Sequence, residues 1–67
     1  MHNSTLRLRF LLANMIADAG SLRDLTEESM PNEADRDYLL KEVDKLQAAA
    51  HRMVAFLDHE IVDKARQ

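Results

Sequence analysis

A chain of 67 residues makes one small domain, and a domain of that size buries only about 60% of the surface its unfolded chain exposes. It has no Cys, which excludes disulfides, thiolate metal sites and cysteine nucleophiles together. A net charge of −3 lacks the basic excess of a general nucleic-acid binder, and one Gly, one Pro and 4% aromatic residues argue against a β-sandwich or barrel.

Without disulfides, a small core is usually reinforced by a metal or by oligomerisation. The start of the chain, Met1-His2-Asn3-Ser4-Thr5, leads into Leu6-Arg7-Leu8-Arg9, and the apolar stretch that follows is cut by Asn14 and Asp18. That stretch is too short and too polar for a signal sequence or a membrane span. The expected location is the cytoplasm, with no membrane partner.

The composition favours helix, and the pattern predicts two helices. The first is expected over about residues 4–29, capped by Ser4 or Thr5. Leu8, Leu11, Leu12, Met15, Ala19, Leu22 and Leu25 share one face at steps of three and four. Gly20 interrupts this helix; it either weakens it by about 1 kcal/mol relative to Ala or admits a close neighbour. Pro31 disfavours helix at Met30, so a turn is expected over about 30–32.

The second helix is expected over about 33–65, capped by Asn32, with Glu33, Asp35 and Asp37 favouring the positive end of its dipole. Its apolar stripe is Leu39, Val43, Leu46, Ala50, Met53, Leu57 and Ile61. Asp37–Lys41 and Glu60–Lys64 have the spacing of helical ion pairs. So short a turn returns the second helix antiparallel to the first. The expected fold is an all-α, antiparallel two-helix hairpin forming a single domain over residues 1–67.

Two helices share one seam, yet the first carries further apolar residues, Leu6, Phe10, Ala13 and Ala17. A surface helix should be polar on its outer side. The second helix likewise adds Tyr38, Ala49, Phe56 and Val54 beside its stripe. These surplus groups predict a homo-oligomer, first of all a dimer of hairpins forming a four-helix bundle. Leu6, Phe10, Ala13, Ala17, Tyr38 and Phe56 are the expected protein-interface residues.

The chemistry-bearing residues are few. His59 and Asp63, four apart, suit a divalent ion but fall short of the three or four ligands of a zinc site. Phe56-Leu57-Asp58-His59-Glu60-Ile61 faintly resembles the His-Glu motif of histidine-kinase dimerisation domains. Val62-Asp63-Lys64 stands where those domains carry a basic residue, Thr and Pro. His51, in Ala50-His51-Arg52-Met53, lacks the Lys-Gly that follows the acceptor of phosphotransfer modules. Phosphotransfer on His59 or His51 is accordingly a minor alternative.

Antiparallel pairing would gather Arg7, Arg9, Lys64 and Arg66 at one end of the hairpin. Asp24, Glu27, Glu28, Glu33, Asp35 and Asp37 would gather at the turn, where a solvated acidic end is the simplest reading. In a two-fold dimer the basic end could read a structured RNA, an architecture similar to that of plasmid-copy-number RNA-binding hairpins without a residue-level match. Asp58, Glu60 and Asp63 dilute it. The leading expectation is a non-enzymatic interaction module without cofactor or metal, self-associating through apolar helix faces and binding a further protein. Small helical-hairpin secretion chaperones and bacterial regulatory adaptors have a similar build.

Overall fold

The structure, a computed structural model, describes the backbone of residues 2–66 and the side chains of residues 4–63. Helix α1 runs His2–Ser29 and helix α2 runs Glu33–Arg66. The two pack against each other as a hairpin. Among the described residues no helix is long and apolar enough to cross a membrane.

Asn32 caps α2 as its side chain dictates: its Oδ1 accepts the Asp35 N–H at 2.9 Å, and its carbonyl accepts the Arg36 N–H at 2.9 Å. The Arg36 guanidinium reaches back to donate to the Met30 carbonyl at 3.2 Å, tying the end of α1 to the start of α2. Thr26 and Ser29 bond back to the Leu22 and Leu25 carbonyls. The start of α1 differs from expectation. Helix continues through Ser4 and Thr5 to His2, because a capping preference of about 1 kcal/mol does not stop a helix that can extend by another turn.

The seam between the helices is a strict heptad pattern. With Leu12 and Val43 taken as position a, the centre of the seam falls at a and e, flanked by half-buried Ala49 at g and Asp58 at b. In α1 the a and e residues are Thr5, Arg9, Leu12, Ile16, Ala19, Arg23 and Thr26, followed by Met30 just past its end. In α2 they are Arg36, Leu40, Val43, Gln47, Ala50, Val54, Leu57 and Ile61. All are buried or half-buried, and the alternation of four- and three-residue steps averages 3.5 residues, the period of helices that stay in contact along their length.

Among the described residues only Leu12, Ala19, Val43 and Ala50 are buried outright. Paired alanines at the middle keep the seam thin. The result is a rod with Cα extents of 53 × 15 × 12 Å and a radius of gyration of 15.5 Å, against about 11 Å for a globular chain of this length.

The apolar stripes expected as the hairpin core are therefore split. Leu12, Ala19, Val43, Ala50, Leu57 and Ile61 enter the seam, whereas Leu8, Leu11, Met15, Leu22, Leu25, Leu39, Leu46 and Met53 remain exposed. The reason is polar. Arg9, Arg23 and Gln47 all make cross-helix contacts, and satisfying them rotates both helices towards their e positions.

Candidate interaction surface

The seam divides the hairpin into two unlike flanks. On one, position e of α1 faces position b of α2. Arg9 grips the Asp58 carboxylate with two nitrogens, and Arg23 Nη1 meets Asp44 Oδ1 at 2.7 Å. Gln47 Nε2 donates to the Ile16 carbonyl at 3.2 Å, within the seam between these pairs. The bonded Arg9 guanidinium holds the Asp58 carboxyl below its ordinary value, and Asp58 in turn raises that of Arg9. Arg23 also approaches Glu27 at 3.6 Å.

The other flank is apolar. It is built from positions d and g, which lie on the opposite side of a from e. Because the helices are antiparallel and share one heptad phase, equal rotations bring both sets to the same side of the molecule. From α1 it carries Leu8, Leu11, Met15, Leu22 and Leu25; from α2, Leu39, Leu46, Met53 and Phe56. These are nine of the thirteen large apolar side chains exposed among the described residues, so the surplus is concentrated rather than scattered.

Both helices line the grooves on this flank. Leu8, Leu12, Ala49, Arg52, Met53, Phe56 and Leu57 surround one of about 390 Å³. Met15, Asp18, Ala19, Leu22, Leu46 and Ala50 surround another of about 150 Å³. The Arg9–Asp58 and Arg23–Asp44 pairs fix the register. Together with the Gln47–Ile16 bond they place Asp18 opposite the stretch from Lys45 to Ala49, and Leu11 opposite the stretch from Arg52 to Phe56.

The residues expected at the interface divide between surfaces. Phe56 belongs to the apolar flank and is 63% exposed. Leu6, Phe10, Ala13 and Ala17 are exposed too, but at positions b and f, on the back of α1 away from that flank. Tyr38 is exposed at the edge of α2 near the turn. Gly20 lies beside Ala13 and Ala17, and an added Cβ there would meet nothing within 4 Å. Within the hairpin it is a weak point, not a close approach.

Arg9, expected in a basic end, spends its charge on Asp58; Arg7 is exposed, and the side chains of Lys64 and Arg66 lie outside the described residues. The expected Glu60–Lys64 pair lies outside them as well. Asp37 and Lys41 are not within ion-pair distance, while Glu42–Lys45 pairs at 3.4 Å. His51 is exposed on the polar side of α2, and His59 is exposed with Nε2 3.1 Å from Asp63. Among the described residues no three ligand-type side chains cluster for a metal. The acidic groups near the turn, from Asp24 to Asp37, are exposed.

Sequence reasoning found the exposed apolar residues on the back of α1 but not the larger group at positions d and g, and it missed the two cross-helix ion pairs. The signal for those pairs was present. Arg9 and Arg23 are two heptads apart, as are Asp44 and Asp58, in the reversed order that an antiparallel hairpin matches. No family model matches the chain, and neither does any curated protein or solved structure.

Proposed function

We propose that this protein is a non-enzymatic protein–protein interaction module that associates with itself through the apolar flank, two hairpins forming a four-helix bundle. The observation that carries the reading is the one-sided clustering of nine large apolar side chains contributed by both helices. In a four-helix bundle each helix needs one apolar stripe for its neighbour in the hairpin and a second for the other hairpin. Positions a and e supply the first here, and d and g are suited to the second.

Area points the same way. The chain exposes 5293 Å², whereas a globular protein of its mass exposes about 4,300 Å². The excess is about 1,000 Å², near the roughly 800 Å² that each partner buries in a standard interface. Two copies of a self-complementary flank satisfy that need with closed symmetry.

The test is the molecular mass in solution by sedimentation equilibrium. The unaltered chain is expected to be a dimer, and Leu46→Asp to raise its dissociation constant by roughly 100-fold or more, since a buried Leu contributes about 1.5–3 kcal/mol and the dimer loses two. Phe10→Asp, on the back of α1, is expected to leave the mass unchanged. A monomer at micromolar concentration would overturn the reading, and dissociation by Phe10→Asp alone would move the contact to the other side of α1.

A further inference from the structure

We infer that in the self-associated form α1 of each copy packs on α2 of the other, about a two-fold axis parallel to the helices; this rests on the self-association proposed above. The apolar flank alone allows two face-to-face arrangements. With the axis along the helices, α1 lies on the second copy's α2 and every level meets its own level. With the axis across them, α1 lies on the second α1 and the levels run in opposite order. Both make neighbouring helices antiparallel, so helix packing does not choose between them.

Charge does. The charged side chains lining the two grooves of the flank are Asp18, from α1, and Arg52, from α2. Asp18 lies opposite the stretch from Lys45 to Ala49, near the middle of the flank, with Arg52 about one turn beyond it on α2. With the axis along the helices, each Asp18 enters the space between Lys45 and Arg52 of the second copy, and Arg7 comes level with its Glu60. Like-charged approaches remain only at the solvated turn end, Glu28 towards Asp35 and Glu42 of the second copy. With the axis across the helices, Asp18 would face Asp18 and Lys45 would face Arg52 close to the centre. Like charges facing each other there are unfavourable and opposite charges select the register, so the parallel axis is preferred.

The experiment is a charge swap read by sedimentation equilibrium, with circular dichroism to follow helicity. Asp18→Arg places like charges together at both symmetry-related contacts, and Lys45→Glu with Arg52→Glu does the same with the opposite sign. Each is expected to weaken self-association by roughly tenfold or more. Mixed at equal concentration, the two should restore it, because every contact then joins opposite charges; that recovery also shows that both variants fold.

The arrangement with α1 on α1 predicts recovery in that mixture too, so the two are told apart by mixing Asp18→Arg with the unaltered chain: α1 on α2 leaves one like-charged contact and weakens association, whereas α1 on α1 would join opposite charges and strengthen it beyond that of the unaltered chain alone. Such strengthening, or a mixture of the two variants that stays as dissociated as its parts while the unaltered chain is dimeric, overturns the inference and leaves self-association standing. An unaltered chain that is monomeric overturns both. Cysteine linkage gives a second readout in a chain with no Cys of its own. Leu11→Cys chains mixed with Phe56→Cys chains should cross-link on mild oxidation, whereas Leu11→Cys with Leu25→Cys should not.

Discussion

The two flanks of the hairpin start from the same heptad and end with opposite character. On one, Arg9 and Arg23 reach across to Asp58 and Asp44, leaving a charged surface that water can solvate. On the other, Leu22, Leu46, Met53 and Phe56 stand exposed over grooves that the seam does not fill. The difference teaches how a thin hairpin decides which side to leave open. Ion pairs that are half-exposed contribute little to stability, but they set rotation and register. Once both helices turn towards their e positions, their d and g positions are carried together to the other side.

The largest effect on a single hairpin is expected where the two flanks meet. Leu12 is 5% exposed and lines the larger groove, so Leu12→Ala should cost about 2 kcal/mol, the low end for a buried Leu because this seam is thin. Thermal unfolding would show it as a lowered midpoint. A negligible change would mean that Leu12 is not a core residue and that the helices are rotated differently.

The next effect tests the back of α1, beyond the charged flank. Gly20→Ala meets open space and should stabilise the protein by about 1 kcal/mol through helix propensity. Urea unfolding measures it directly. A loss of stability would instead show that another helix lies against Gly20, Ala13 and Ala17, reversing the assignment of the two flanks.

The smallest effect belongs to the ion pairs themselves. The carboxyl of Asp58 sits below its ordinary value in the folded chain because Arg9 donates to it. A carboxyl depressed by folding contributes stability that is present above its unfolded pKa of about 4 and is lost as the pH falls through the folded value. Unfolding midpoints followed downward from pH 5 should therefore fall in the unaltered chain and fall less in Asp58→Asn. Equal slopes would show that the Arg9–Asp58 bond does not persist in solution.

Much of the hairpin was legible in the residues. Pro31 after Met30 and the capping side chain of Asn32 marked the turn, since one disfavours helix before it and the other satisfies the first free N–H groups after it. The surplus of apolar residues was legible as well, and with it the expectation of self-association. Its location was not. In α1 apolar groups occupy positions a, d, e and g and also b and f, so periodicity alone leaves the helix free to rotate.

What the sequence by itself determined is an all-helical chain with a turn near Pro31 and more apolar surface than one seam can cover. These follow from local preferences and from a count of apolar groups. Which stripe faces inward was decided only when the helices met. Arg9, Arg23 and Gln47 found partners across the seam, small alanines filled its centre, and the larger Leu, Met and Phe side chains were left together on one flank. Rotation about a helix axis is cheap for one helix alone and is fixed by the cross-helix contacts of two.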